Sequence, residues 1–328
     1  EAPIYAAAQK LGIPAVALPI ARKNIAGLRA LRAWLKRNRD IDVLNTHSST
    51  DSWLVAIARL SLCRVAPIVR TRHVSTHIGN NRPTRWLYQR ATRHIVTTGE
   101  ALKQQLAREN DFDSARMTSV PTGIDLQRFR PRTSAEARRI LGLNNERHYL
   151  GIVATLRNWK GHTYLLQAFA TLAPKHPDWD LLLVGDGPQR KNLERMAKEL
   201  RLGARVQMLG NREDVEHWFN AFDLFTLPSY GEEGVSQSVM QAMASGLPVV
   251  STTVGAIGEA VAHEQTGLLI APHDAEQLEQ ALARLMNDAT LRQRFGAAGR
   301  ARAEQRFGVD VMLDAMERVF RAAAGGKQ

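Results

Sequence analysis

The feature that most constrains this sequence is a regular alternation of short β-branched runs with helix-period segments along nearly its whole length. Strands that alternate with helical segments are typical of βαβ units around a parallel sheet. The pattern therefore predicts an α/β fold. In the first part of the chain the predicted strands are AVALPI (15–20), DVLNT (42–46), PIVRT (67–71), HIVTT (94–98) and MTSV (117–120), with predicted helices near 25–38, 50–62, 83–92 and 99–109.

A polar stretch at residues 125–147 separates two such halves, because turn residues there are followed by helix formers. We therefore expect two doubly wound domains with a break in this stretch. In the second half the predicted strands are 150–155, 180–185, 205–209, 223–227, 247–252 and 267–271, and the predicted helices are 162–173, 189–201, 213–220, 236–245, 274–286, 289–305 and 309–324.

The net charge of the 328-residue chain is +12, and it is confined to the first part. Residues 1–130 hold 21 lysines and arginines against 9 aspartates and glutamates, whereas residues 131–328 hold 23 of each kind. A basic half indicates an anionic partner, either lipid head groups or nucleic acid. The helix predicted at 25–38 is compatible with two arrangements: a basic amphipathic helix on a membrane, or a helix packed on its own sheet with solvated cations.

Composition excludes several protein classes. The longest uncharged run, 234–258, contains too many polar residues to span a membrane. Cys63 is the single cysteine, so no internal disulfide can form and we expect a reducing compartment. The chain begins with Glu1 and shows no basic-then-apolar leader, so we expect no signal peptide and a removed natural N-terminus, while residues 322–328 resemble a disordered tail.

The strongest local signal is SYGEEGVSQSVMQAMASGLPVVST (229–252), in which two carboxylates at a strand end precede a glycine and a helix start. Backbone N–H groups at a helix start attract anions, so residues 234–238 are predicted to hold a diphosphate. Glu233 and Gln241 lie near the two ends of this element. A second segment, TLRNWKG (155–161), brings Arg157 and Lys160 to the carboxyl end of a strand, where they either neutralise a departing phosphate or remain solvated.

In this order and spacing, the motifs resemble those of the retaining glycosyltransferases of GT-B family 4, and the resemblance spans almost all of the chain. EGVSQSVMQAMASGLPVV (233–250) reproduces the family's phosphate helix, and support comes from PTGID (121–125), WKG (159–161), LLLVGDGP (181–188), RVQMLG (205–210), VGAIGE (254–259) and TGLLIAPHD (266–274). The resemblance implies two Rossmann-like domains with a cleft between them. Residues 1–130 would form an acceptor-side domain that is incomplete at its start, 131–305 a nucleotide-sugar domain, and 306–328 a helix that crosses back to the first domain.

The resemblance also implies roles for matching positions on the donor side. Glu233 would contact the hydroxyls of the donor sugar, Gln241 the ribose and Lys160 the diphosphate, with Arg157 as a second cation. Main-chain atoms would complete the phosphate cradle and meet the base. These backbone contacts would be supplied by Gly234, Val235 and Ser236 at the phosphate, and by Met208 and Gly210 at the base.

Two histidines of the first half match the family less directly. His73, in RTRHVS (70–75), would face the donor sugar as a catalytic residue together with Glu233, and His47, in LNTHSS (45–50), would lie on the acceptor side. The sequence departs from the family in three places. Gln241 stands where the family has a glutamate and can hydrogen-bond ribose only without charge assistance. Thr155 stands where the family has an arginine, and the family's first strand and glycine-rich acceptor loop have no counterpart.

Metal-dependent glycosyl transfer is not expected. Asp111 and Asp113, in DFD (111–113), could resemble the metal-binding aspartates of the other main glycosyltransferase architecture, but no second set of oxygen ligands lies nearby in the sequence. Phosphate charge would instead be met by Lys160, Arg157 and a helix N-terminus. We therefore expect no metal and no cofactor beyond the nucleotide-sugar co-substrate.

Together these features predict a transferase that moves a hexose-like sugar from a UDP- or GDP-linked donor to a glycan hydroxyl, with retention at the anomeric carbon. The basic half fits a lipid-linked acceptor at the inner face of a bacterial membrane, in lipopolysaccharide or exopolysaccharide synthesis. We thus expect a cytoplasmic, peripheral protein on an anionic membrane surface that binds no nucleic acid. Two alternatives stay open: a GT-B epimerase or hydrolase of nucleotide sugars, and a binding-only protein whose basic surface faces a membrane or nucleic acid.

Overall fold

The computed structural model describes residues 3–62, 65–73, 76–231 and 233–325. Within these ranges the chain forms two parallel sheets, one of four strands and one of six. Some residues used in the sequence analysis lie outside the described residues, namely Glu1, Cys63, Val74, Ser75, Glu232 and the tail beyond 325.

The first unit contains the four-stranded sheet, whose order is β1-β2-β3-β4. Leu31 and Leu35 of its second helix are buried in a cluster with Leu54 and Ile68, so this helix packs on its own unit. Its arginines and lysines point to solvent. The elements are α1 (Pro3–Lys10), α2 (Ile25–Arg37), β1 (Leu44–Thr46), α3 (Ser49–Leu60), β2 (Ile68–Arg72), α4 (Arg82–Arg85), a π-helical turn (Trp86–Ala91), β3 (Thr92–Thr97), α5 (Glu100–Asn110) and β4 (Met117–Ser119).

The strand predicted at 15–20 is absent, so that prediction was wrong. The segment is irregular, and Val16 keeps 64% of its surface exposed. A β-branched run becomes a strand only where a neighbouring strand satisfies its backbone, and no described strand pairs with this segment. Pro19 also removes one backbone donor from it, and Pro14 immediately precedes it.

The second unit contains the six-stranded parallel sheet, whose order is β10-β9-β8-β5-β6-β7. The chain starts at β5, moves outward to β7 and then returns to β8 on the other side of β5, so the strand order reverses between β5 and β8. The elements are α6 (Ser134–Leu141), β5 (His148–Val153), α7 (His162–Leu172), β6 (Trp179–Val184), α8 (Arg190–Glu199), β7 (Val206–Met208), α9 (Val215–Ala221), β8 (Leu224–Leu227), α10 (Gln237–Ala244), β9 (Val249–Thr252), α11 (Ile257–Ala260), β10 (Gly267–Ile270), α12 (Ala275–Asn287) and α13 (Ala289–Arg306).

The last helix, α14 (Val309–Ala324), follows the second unit in the chain but packs against β2 and β3 of the first. Val319 and Ala323 form a buried cluster with Val69, Val96 and Val120. Next to this helix, the backbone N–H of Ile124 donates to the carbonyl of Phe307 at 2.7 Å. The two segments that connect the units, around Ile124 and around Phe307, therefore lie side by side.

The predicted fold class, two doubly wound α/β units, is confirmed. Ten of the predicted strands and every predicted helix correspond to elements within a few residues, whereas α1 and α11 were not predicted and α6 was indicated only by the helix formers in the stretch 125–147. In the described ranges, no helix combines the length and the apolar character that a membrane span requires.

Candidate active site

The candidate site lies where the order of the second sheet reverses, because the loops after β5 and β8 meet there. Gly161 makes this contact possible. Its φ is +76°, and a Cβ at this position would lie 1.8 Å from the carbonyl oxygen of Pro228. The carbonyl oxygen of Trp159 accepts a hydrogen bond from the backbone N–H of Tyr230 at 2.8 Å and lies 2.8 Å from the hydroxyl oxygen of Ser229.

This junction brings the two charged residues predicted from the sequence together. Nζ of Lys160 lies 2.6 Å from Oε1 of Glu233, and the hydroxyl of Ser229 donates to the same oxygen at 2.6 Å. The side chains of Lys160 and Glu233 are only 19% and 10% exposed. Loss of either partner of an ion pair this shielded from water would leave the other charge buried and uncompensated, which is strongly destabilising.

The start of α10 forms the floor of the site. Ser236 is the N-cap residue, and the first hydrogen bond of the helix runs from the N–H of Met240 to its carbonyl. The preceding amides therefore have no acceptor within the helix, as expected for a first turn that can bind an anion. A cavity of about 420 Å³ opens in front of them, lined by His73, Thr98, Thr122, Lys160, Glu233, Gly234, Val235, Ser236, Gln237, Ser238 and Gln241.

The first unit supplies the opposite wall. A Cβ on Gly234 would lie 3.3 Å from Oγ1 of Thr98 and 4.0 Å from the carbonyl oxygen of His73, so the loop before α10 closely approaches the ends of β2 and β3. The cavity is thus a cleft between the two units. His73 and Glu233, the two residues predicted to be catalytic, both line it.

A chain of hydrogen bonds leads to His73 from inside the first unit. The hydroxyl of Thr71 donates to the amide oxygen of Asn45, and the Asn45 amide nitrogen donates to Nε2 of His47 at 3.0 Å. Nδ1 of His47 lies 2.8 Å from Nε2 of His73, and the two rings are stacked. Because an amide nitrogen can only donate, a neutral His47 carries its proton on Nδ1 and donates it to His73.

The start of α3 fixes the backbone position of His47. Ser48 and Asp51 form a reciprocal capping box, and the Asp51 carboxylate also accepts the N–H of His47 at 3.0 Å. Burial lowers the pKa of His47, the adjacent His73 lowers it further, and Asp51 partly opposes both. These effects favour the neutral ring.

Four of the predicted binding residues do not line the cavity, and the first of them is His47, which contacts the cavity residue His73. Arg157 is exposed and stacks on the ring of Trp159. Met208 lines a separate hollow of about 480 Å³ beside α8, and its carbonyl accepts from Arg190. Gly210 pairs through its carbonyl with the N–H of Gly185 at 2.8 Å. Their roles stay predictions.

Some cavity residues were missed in the sequence. Thr98 ends the predicted strand HIVTT (94–98) and Thr122 is the second residue of the recognised motif PTGID (121–125), but no role was assigned to their hydroxyls. Gln237 and Ser238 belong to the range 234–238 that was predicted to hold a diphosphate, but neither was given a role of its own. Asp111 and Asp113 belong to the end of α5 and the turn after it. Among the described residues, no group of His, Asp and Glu is arranged to hold a metal ion.

Comparison with known protein families identifies the family to which this chain belongs. The model of the family described as glycosyl transferases group 1 matches residues 133–302, just over half of the chain, and the model for Glycosyltransferase Family 4 matches residues 5–128. The chain belongs to the glycosyl transferases group 1. This glycosyltransferase has the predicted GT-B architecture of two Rossmann-like domains around a cleft, and the predicted enzyme class, a nucleotide-sugar glycosyltransferase, is confirmed.

Relatives of this glycosyltransferase act in glycan synthesis. It is 29% identical over 324 residues to the lipopolysaccharide core biosynthesis mannosyltransferase LpsB of Rhizobium meliloti, covering 96% of this chain and 89% of that protein. It is 31% identical over 286 residues to the exopolysaccharide phosphotransferase SCO2592 of Streptomyces coelicolor, covering 87% of this chain but only 29% of that protein. The chain therefore spans less than a third of the second relative.

Solved structures share the fold. A glycosyltransferase of Rickettsia africae superimposes with a TM-score of 0.90 at 18% identity, covering 100% of this chain and 89% of that one. Anabaena Alr3699/HepE, crystallised in complex with UDP, gives a TM-score of 0.87 at 21% identity, covering 97% and 88%. At these identities, the likeness extends to the fold and not to individual side chains.

Proposed function

We propose that this protein transfers a sugar from a nucleotide-diphosphate donor to a glycan hydroxyl, with retention at the anomeric carbon. The observation that carries the proposal is the convergence of Lys160, Glu233 and the open first turn of α10 at the reversal point of the sheet, facing His73. Cations and helix-start amides suit a diphosphate, and a carboxylate beside them suits sugar hydroxyls. The UDP and UDP-glucose complexes of a structural neighbour support the donor class.

The donor would lie along the second unit. Lys160 and the amides of Gly234, Val235 and Ser236 would hold the diphosphate, and Glu233 would bind the sugar hydroxyls. Gln241 lines the same cavity and would reach the ribose. Main chain at Met208 and Gly210 would meet the base, and Arg157 would add positive charge at the rim. The base contacts require a donor that extends from the cavity towards β7.

Catalysis would rest on positioning and on stabilising the departing diphosphate. The bond between the anomeric carbon and the diphosphate oxygen breaks, and the acceptor oxygen forms its bond on the same face of the sugar. The acceptor proton passes to the departing diphosphate oxygen, so no side chain is needed as a nucleophile. His73 would contact the sugar across the cleft, and His47 would lie on the acceptor side.

The acceptor would be a lipid-linked glycan at the inner face of a bacterial membrane. The exposed cations of α2 and the excess of basic residues in 1–130 support an anionic surface beside the first unit. The name of the Rhizobium meliloti relative supports lipopolysaccharide assembly. We further propose domains at 1–130 and 131–305, with 306–328 returning to the first, which the packing of α14 on β2 supports.

Nucleotide binding and product analysis test the proposed reaction. Titration calorimetry should give binding of UDP or GDP and much weaker binding of the matching monophosphate, because Lys160 and α10 face the second phosphate. NMR of the product should show the donor's anomeric configuration. Turnover of donor at full rate without an acceptor would favour an epimerase or hydrolase, and absence of binding to both diphosphates would contradict the proposal.

Liposome flotation tests the proposed membrane surface separately. We expect the protein to float with vesicles that contain anionic lipid and to stay in solution with neutral vesicles, and we expect salt to release it. Failure to float at low salt with anionic vesicles would contradict the proposed membrane surface but would not bear on the proposed transfer reaction.

A further inference from the structure

One carboxylate of the second unit binds the first unit directly. Oε2 of Glu259, in α11, accepts the N–H of Glu100 at 2.8 Å, and Oε1 accepts the N–H of Ala101 at 2.8 Å. Both amides belong to the first turn of α5, more than 150 residues away in the sequence. The contact is thus bidentate and joins the two units.

The first turn of α5 has no cap of its own. Its N-cap residue is Gly99, which offers no side chain, and first-turn amides find no acceptor within a helix. A carboxylate at a helix N-terminus also interacts favourably with the partial positive charge there. Glu259 therefore performs for α5 the capping that an Asp or Ser at position 99 would normally perform.

Gly99 also permits the approach of the two units. A Cβ at this position would lie 2.8 Å from Cβ of Ala256 and 3.4 Å from Cγ2 of Val235. A side chain would therefore push the start of α5 away from the segment that precedes Glu259. Glycine at position 99 therefore explains both observations: α5 has no side-chain cap of its own, and the two units can approach each other closely.

The backbone around Glu259 is fixed to the second unit. Its carbonyl accepts from the guanidinium of Arg302 at 2.9 Å and from Arg306 at 3.2 Å, both on α13. Three residues earlier, the N–H of Ala256 donates to the carbonyl of Glu233 at 3.0 Å. One short segment thus holds the Glu233 loop at one end and the start of α5 at the other.

The start of α5 is itself part of the cleft wall, because Thr98 lines the cavity and immediately precedes Gly99. We propose that Glu259 is a positioning residue that couples the two halves of the site: it clamps the first turn of α5, so that Thr98 and His73 stay in register with the loop that carries Glu233. This rests on the proposed function for its effect on transfer, and on geometry alone for the clamp.

Amide hydrogen exchange in the intact protein tests the clamp without any activity. In Glu259→Ala the amides of Glu100 and Ala101 lose their only acceptor among the described residues and should exchange at least about tenfold faster. Glu264→Ala is the matched control, because Glu264 lies in the same unit but pairs with Arg284 at the surface. In the control, exchange at both amides should equal that of the wild type.

Kinetics test the coupling. Glu259→Ala should lower kcat about tenfold, as expected for loss of charge-assisted hydrogen bonds, while the affinity for UDP or GDP stays within twofold. Glu259→Gln should recover part of the rate, because an amide oxygen still accepts one bond. Gly99→Ala, which separates the units but keeps the carboxylate, should reproduce the loss of kcat even if Glu259→Ala fails to fold.

The outcomes separate the two proposals. Wild-type exchange rates at Glu100 and Ala101 in Glu259→Ala would overturn the clamp, and so would a loss of nucleotide affinity equal to the loss of kcat. A wild-type protein that binds no nucleotide and transfers no sugar would overturn the proposed function alone, because the exchange rates would still decide whether Glu259 holds α5.

Discussion

Lys160 and Glu233 form an ion pair at 2.6 Å although 73 positions separate them in the sequence. Each therefore compensates the charge of the other. On the proposed function, a diphosphate that enters the cleft would compete with Glu233 for the ammonium group, and the released carboxylate would then face the sugar hydroxyls. We expect the two residues to contribute to different stages of the reaction.

Substitution of the two residues should therefore have opposite effects on nucleotide binding. Lys160→Ala should weaken the binding of UDP or GDP about tenfold or more, since it removes the cation and leaves Glu233 to repel the phosphates. Glu233→Ala should leave this affinity unchanged or raise it, but should lower kcat for transfer about 100-fold. Calorimetry and steady-state kinetics measure both effects.

The control is Lys175→Ala, because Lys175 pairs with Glu279 on the same unit but has a side chain that is 61% exposed. It should change neither quantity, as expected for a surface pair. Equal weakening of nucleotide binding by Lys160→Ala and Glu233→Ala would contradict the division of roles.

Asn45 is predicted to set the proton position in the histidine pair. Asn45→Ala removes the donor to Nε2 of His47, so either ring nitrogen can then carry the proton and the bond to His73 is no longer fixed. We expect kcat to fall about fivefold, with nucleotide affinity unchanged because that site lies on the other unit.

Asn45→Asp tests the same role of Asn45 through the pH dependence of kcat. A carboxylate in place of the amide would raise the pKa of His47, which burial and His73 hold below its usual value. The acid limb of the kcat profile should move to higher pH by about one unit. Asn192→Ala, on the exposed surface of α8, is the control, and an Asn45→Asp profile that overlays the wild type would exclude the predicted role.

Gln241 is predicted to bind the ribose through an uncharged amide. Gln241→Ala should weaken the binding of UDP or GDP about fivefold, which is the usual contribution of one hydrogen bond. Gln241→Glu, which restores the residue typical of the family, should bind at least as tightly as the wild type because its bond is charge-assisted. Identical affinities for all three proteins, measured by calorimetry, would place the ribose elsewhere.

Most of the secondary structure was predictable because the spacing or clustering of apolar residues differs between helices and buried strands. Buried parallel strands such as β6 and β8 are mostly apolar, with one polar residue each, and amphipathic helices such as α12 have one apolar stripe. The segment 15–20 has the composition of a strand, but no strand in the part of the chain that the structure describes pairs with it. A local pattern cannot indicate whether such a partner exists.

The site was predictable where its residues are close in the sequence. Glu233, Gly234, Ser236 and Gln241 belong to one loop and helix, so their spacing alone places them together. The pairing of His47 with His73 and the reach of Glu259 to α5 depend on how strands and units pack. Glu259 lies in the recognised VGAIGE motif, yet nothing in that motif indicates that its carboxylate caps a helix in the other unit.

His162 should make the folded protein sensitive to acid. It begins α7 directly behind Lys160 and is 2% exposed. Burial, followed by the charge of Lys160, lowers the pKa of His162 from 6.5 to about 4. Between these values the unfolded chain takes up a proton that the folded chain does not, so stability is complete above pH 6.5 and falls as the pH decreases towards 4.

At pH 5 this difference amounts to about 2 kcal/mol of the free energy of unfolding relative to pH 7. His162→Leu, which cannot be protonated, should lose about 2 kcal/mol less than the wild type over the same interval in urea unfolding. His77→Gln serves as the control, because the side chain of His77 is 70% exposed, and it should follow the wild type. If His162→Leu loses as much stability as the wild type between pH 7 and pH 5, another group is responsible for the acid sensitivity.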